Sequence, residues 1–171
     1  IFTFDGNSWK NTTEFKWSDT EATTYMTAIC PVYADKAYTT ENLYSNGKLE
    51  DILIAQDTLQ SKADINLQFK HLFSSLEVTI ENSLLQKIER IEVTTPYKVS
   101  GISPITGEIT KILENHTTTI QTDGSETYTV ILPPAENCVL TLSITMSNEE
   151  VITKSLTAHT FESGVSYECN L

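Results

Sequence analysis

The stretch Leu67–Asn82, LQFKHLFSSLEVTIEN, holds two alternating runs on either side of a polar break. Leu67 and Phe69 alternate first, then Leu76, Val78 and Ile80. A period of two places every second side chain on one face, the pattern of a strand buried on one side. Between the runs stand Lys70, His71, Ser74 and Ser75. With Leu67 and Phe69 inward, Lys70 points outward and His71 follows the inward parity. A histidine there satisfies a backbone carbonyl near a strand break. The two serines can bond their own backbone at the bend. The polar group therefore reads as a stitch between strands rather than a reactive centre.

Outward from this stretch the period of two continues. Ile91 and Val93 share a face while Ile88 falls out of phase, so a bulge is expected between Ile88 and Ile91. ETYTVILPP, Glu126–Pro134, keeps Tyr128, Val130 and Leu132 in step. CVLTLSITM, Cys138–Met146, puts Leu140, Leu142, Ile144 and Met146 inward against Thr141, Ser143 and Thr145. In VITKSLTA, Ile152, Leu156 and Ala158 share a face, and Tyr167, Cys169 and Leu171 share one at the end. Toward the start, FTFDGNSWK reads as strand, turn at Asp5-Gly6-Asn7, then strand, and EFKWSD alternates Phe15 and Trp17. TTYMTAICP stops at Pro31, which has no N–H for a ladder. Asn46-Gly47 reads as a turn and Asp123-Gly124 as a hairpin turn. Residues 32–64 are mostly polar with scattered aromatics and read as a long decorated loop, with a short helical piece around Leu49 to Ile54.

No helical pattern of four turns survives a template count. Many short strands with turn signals every ~8–12 residues predict an all-β, two-sheet Greek-key sandwich. A chain of 171 residues is expected to form it as a single domain, 1–171. The formal net charge is -12, and Arg90 is the only arginine. Such a surface repels phosphate backbones and anionic head groups, which argues against nucleic acid and against direct membrane binding. The longest apolar runs fall far short of the ~20 residues a spanning helix needs.

Catalytic and metal signatures are missing. His71, His116 and His159 stand in no H-E-x-x-H or two-histidine carboxylate spacing, and no Gly-rich phosphate loop occurs. Glu50-Asp51 and Glu149-Glu150 lie at polar turns, and neighbours along a strand point to opposite faces, so both read as solvated charge. No catalytic residue, metal or cofactor is expected. The cysteines Cys30, Cys138 and Cys169 read as small buried hydrophobes, with a Cys138–Cys169 bridge as the alternative. Tyr33, Tyr38 and Tyr44 are spaced through the polar stretch and are candidate ligand contacts, since tyrosines on a loop stack on sugars or anchor proteins. Their other reading is a cap on the core beneath that loop.

The opening stretch also carries a resemblance. Leu67, Phe69, His71, Ser74, Ser75, Leu76, Val78 and Ile80 resemble the L-x-F-x-H-x-x-[SA]-[KS]-[LV]-x-V-x-I segment of the fimbrillin-like proteins of Bacteroidales. Other pieces follow in that family's order. Trp9, Trp17, Tyr25, Ala28 and Pro31 resemble its W…W…Y-x-x-A-x-x-P segment, and DILIAQ, Asp51–Gln56, its D-L-L-x-A element. VILPP, Val130–Pro134, is similar to its V-x-x-P-Q strand end with Pro134 in place of Gln. FESGVSYECNL, Phe161–Leu171, resembles its closing F-x-A-G-x-x-Y element. The resemblance implies a transthyretin-like sandwich exported to the outer membrane or cell surface, as a major or minor fimbrial subunit or a related adhesin. It implies a non-enzymatic structural or adhesive role, with pilus or surface subunits as partners joined by β-strand addition into a groove. Host protein or glycan is a further partner, and membrane is met only through a lipid anchor outside this chain. The alternative is a carbohydrate- or protein-binding module of a surface lipoprotein.

Overall fold

The structure is a computed structural model, and it describes residues 2–4, 9–11, 23–33, 37–60, 66–80 and 87–170. Of these residues 61% are strand and 3% helix, so the fold class is all-β as the sequence predicts. The elements run β1 (Phe2–Phe4), β2 (Trp9–Asn11), β3 (Thr23–Cys30), α1 (Thr40–Leu43), β4 (Tyr44–Ser45), β5 (Lys48–Leu49) and β6 (Leu53–Gln60). Then come β7 (Lys70–His71), β8 (Ser74–Thr79), β9 (Ile88–Thr95), β10 (Lys98–Ile102), β11 (Ile109–Ile112) and β12 (His116–Gln121). The last third holds β13 (Thr127–Leu132), β14 (Ala135–Cys138), β15 (Thr141–Met146), β16 (Val151–Ser155), β17 (His159–Phe161) and β18 (Ser166–Asn170). β1 pairs antiparallel with β2, while the Asp5-Gly6-Asn7 turn, Phe15 and Trp17 lie outside the described residues.

Two sheets face each other across the main core. One has the order β12-β9-β15-β16 and the other β13-β8-β18. The core takes Leu76 and Val78 from β8, Ile91 and Val93 from β9, Val130 and Leu132 from β13, and Leu142 and Ile144 from β15. The alternating residues named from the sequence are thus the ones that meet. Their hydroxyl neighbours Thr141, Ser143 and Thr145 lie on the other face of β15 and stay part-exposed. The expected bulge is present. Thr145 pairs with Arg90 but Met146 pairs with Ile88, so Glu89 is the extra residue.

A second apolar cluster joins Tyr38, Leu43, Leu49, Ile52, Ile54, Leu72, Phe73, Val99 and Ile102. The described residues of 32–64 supply much of it and depart from the expected loop. They hold α1, the β4–β5 hairpin and the eight-residue β6, which pairs with β3 along its whole length. The reason the period was hidden is visible in β6, where Ile54 and Ala55 are buried consecutively and Gln56 and Thr58 are exposed. A strand covered on both sides loses its alternation. Leu49, Ile52 and Leu53 mimic helical spacing, yet Leu49 ends β5 and Leu53 begins β6, and the helix lies at Thr40–Leu43. Asn46-Gly47 is the expected turn, with both residues at positive φ (50° and 76°) between β4 and β5. Asp123-Gly124 turns the chain but closes no hairpin. β12 pairs with β9 and β13 with β8, so this turn carries the chain from one sheet to the other.

The opening stretch links both clusters. β7 pairs with β6 through Leu53↔His71 and Ile54↔Lys70, while β8 pairs with β13. Between them Leu72 and Phe73 are both buried, so inward parity does not carry across the break. Phe69 is accordingly 42% exposed rather than inward, and His71 is exposed as well. Ser74 is buried and donates from Oγ to the Leu132 carbonyl at 3.0 Å. Ser75 Oγ donates to Ser166 Oγ at 2.9 Å. The serines do stitch, but to β13 and β18 rather than to their own backbone.

Candidate functional site

The three tyrosines from the polar stretch pack on the second cluster. Tyr38 is a buried member of it, and its hydroxyl donates to the Pro31 carbonyl at 2.7 Å. Tyr33 packs edge-on against the Tyr38 ring at 5.2 Å between centroids. Burial pushes the Tyr33 phenol up, and the nearby Glu50 carboxylate adds to it. Tyr44 is only half-buried. Its oxygen accepts the Val99 N–H at 2.9 Å, the His116 ring tilts against it at 4.5 Å, and Lys98 Nζ stands 5.5 Å over its face. His116 Nε2 donates to the Gly47 carbonyl at 2.8 Å, so this corner ties the β4–β5 turn to β12.

His71 meets an acid. Its Nδ1 lies 2.7 Å from Asp51 Oδ2, with side chains 57% and 36% exposed. The pair sits at the surface where β7 joins β6, and exposed pairs of this kind contribute about 0–1 kcal/mol. A shallow depression of about 520 Å³ is lined by Lys111, Pro134, Glu136, Thr160, Phe161 and Ser163 among others, and neither His71 nor Asp51 borders it. Lys111 Nζ there donates to the Pro134 carbonyl at 2.7 Å and lies 5.2 Å over the Tyr97 ring. Among the described residues no three His, Cys, Asp or Glu side chains gather as metal ligands. The cysteines are free thiols, so no Cys138–Cys169 bridge forms, and Cys30 is exposed rather than buried.

The arrangement with the clearest capacity to bind is a long side of the main sandwich. At one side the β4–β5 hairpin lies against both β12 and β13. At the other, β16 ends one sheet and β18 ends the other, and no described strand pairs with their outer edges. Register shows which of their side chains face the core. Ile152 pairs with Ile144 and Lys154 with Leu142, so both point inward. Tyr167 is beside Leu76 and Cys169 beside Val78, so these also point inward. Leu142, Leu76 and Val78 are sealed, whereas Ile152 remains 42% exposed and Tyr167 and Cys169 are part-exposed. Burial raises the Cys169 thiol, opposed by the Lys154 ammonium. Among the described residues two backbone edges are thus unpaired beside an incompletely covered apolar lining.

Sequence reasoning missed this opening, although part of its signal was present. Ile152 and Leu156 were assigned one face, and Lys154 shares their parity. A lysine on an apolar parity marks an inward-pointing charge at a sheet edge. The Asp51 partner of His71 had no such signal, because a polar turn and a strand twenty residues later meet only in the fold.

The fold has known relatives. A cell adhesion candidate of Bacteroides ovatus ATCC 8483 is similar with a TM-score of 0.64 at 17% identity, over 97% of this chain and 70% of that one. A second cell adhesion candidate, from Bacteroides thetaiotaomicron VPI-5482, gives 0.57 at 14% identity, over 97% of this chain and 72% of that one. No curated protein matches significantly. A family model described as fimbrillin-like matches residues 1–171.

Proposed function

This chain belongs to the fimbrillin-like family, and on that premise we propose that it is a structural subunit or adhesin of the cell surface that takes an extended segment of a neighbouring subunit between β16 and β18. The family and its Bacteroides neighbours support a surface adhesive or pilus-like role. The half-exposed inward face of β16 and β18 is the observation that supports strand addition. An added strand there hydrogen-bonds to an open edge and covers Ile152, Tyr167 and Cys169. On this reading the chain works outside the cell, held to the outer membrane by a lipid anchor beyond these residues, and has no chemical step to perform. The test is an Ile152→Asp variant expressed in the parent cells. We expect its incorporation into sedimentable surface assemblies to fall at least tenfold while its melting temperature stays within about 3 °C of wild type. Incorporation at the wild-type level rejects the reading.

A second reading, a glycan- or protein-binding module, draws on Tyr44. Of the three candidate tyrosines it offers a half-exposed ring beside a cation and an imidazole, the kind of surface on which a sugar or an anionic peptide group stacks. Tyr33 and Tyr38 pack on the same apolar cluster as Tyr44. Binding on a glycan array that disappears in Tyr44→Ala is the expected result, and an array without hits removes this reading.

A further inference from the structure

We propose that Lys154 selects the segment that enters between β16 and β18, favouring an extended chain that carries a carboxylate among its alternating apolar side chains. This rests on the strand-addition reading and deepens it. Lys154 stands between Ile152 and Leu156 on the inward parity of β16 and its edge, where an apolar residue is expected. Its cross-strand partner Leu142 is 1% exposed, so the stem of the lysine leaves from a dry floor. On the facing edge strand the inward positions are Tyr167 and Cys169, neither of which is an acid that could pair with an ammonium. Glu168 and Glu77 are adjacent on the parallel β18–β8 pair, and their parity sends them to the opposite, outer face. Among the described residues no acid pairs with Lys154. The protein has a net charge of -12, and Lys154 is a cation on the inward parity of this edge.

While the side is open, water solvates the ammonium. An added strand removes much of that water, and a desolvated charge without a partner is costly. A segment with Asp or Glu at the facing inward position supplies the partner. An all-apolar segment leaves the ammonium to bend out along its own stem, and a segment with lysine there sets like charges together. Because the period of a strand is two, the pair also fixes the register of the incoming chain, which an apolar lining alone does not.

The experiment uses the full chain and three acetylated nine-residue peptides. Each has valine at every second position and threonine between, with one central valine replaced by glutamate, alanine or lysine. Wild-type protein is expected to bind the glutamate peptide about tenfold tighter than the alanine peptide, and the lysine peptide more weakly still, the scale of a close charge pair at a partly desolvated interface. Lys154→Glu is expected to reverse that order, and Lys154→Met to flatten it. Circular dichroism checks that both variants keep the fold, which is expected because Lys154 is exposed. The same peptide order in wild type and Lys154→Glu overturns the charge selection while strand addition stands. Failure of wild type to bind any of the three peptides overturns strand addition, and this inference with it.

Discussion

Gly107 occupies a left-handed backbone conformation (φ +73°), and a β-carbon there would lie 2.8 Å from Ile54 Cδ1 and 3.5 Å from Leu72 Cδ2. Only glycine meets both conditions without strain. Gly107→Ala is expected to lower unfolding free energy by about 1–3 kcal/mol, measured by urea denaturation. Ser74 is a milder case. Its hydroxyl is buried on the Leu132 carbonyl, so Ser74→Ala should cost about 1 kcal/mol in the same assay. His116 adds a pH dependence. Burial lowers its pKa, the bond to the Gly47 carbonyl raises it, Lys98 lowers it and Glu114 raises it, with a net shift below the ordinary imidazole value. The unfolded chain then binds the proton more readily than the native one. This group's contribution is present above about pH 6.5 and declines as pH falls through that value toward the lower native pKa. Comparing melting temperatures of wild type and His116→Gln from pH 7.5 to 5 isolates it, because the variant should lose that share of the decline. The partners behind these roles were not legible in the sequence. Each depends on a partner distant along the chain, and local patterning carries no information about who arrives from elsewhere. Ser74 was named as a stitch, but its partner on β13 could not be.

Patterning was a better guide to the elements. β8, β9, β13 and β15 each turn one face to the main core, and there the inward apolar residues were readable, while the buried Ser74 and Thr95 were not. The bulge at Glu89 was readable too, because a phase slip is itself a pattern. β6 failed because it is covered on both faces at Ile54 and Ala55. The turn at Asp123-Gly124 was identified but its consequence was not, since turn chemistry sets a reversal and not the sheet the next strand joins. At β18 the parallel pairing sets Glu168 directly beside Glu77. Like charges so placed destabilise a sheet. Glu168→Gln should therefore raise stability by about 0.5 kcal/mol at low ionic strength, with the gain shrinking in 1 M salt. An unchanged unfolding curve at low salt would remove this claim.

For the whole molecule, the sandwich came from alternation and the open side came only from knowing which strands end the sheets. Cys169 reports on that side directly, being a free, part-exposed thiol on the inward face of β18. Maleimide labelling with peptide mapping should modify Cys169 in the isolated chain and leave it protected in surface assemblies. Cys30, exposed at the end of β3, serves as the internal control. The parallel run of β18 along β8, from Ser166↔Ser75 to Asn170↔Thr79, has a mechanical side as well. Tension applied beyond Asn170 and resisted from before Ser74 pulls the two strands in opposite senses along their common axis. Their ladder of hydrogen bonds is then loaded in shear, all rungs together, instead of being peeled one rung at a time. In the surface role proposed above, a pull entering through those two ends would strain this junction along its strongest direction.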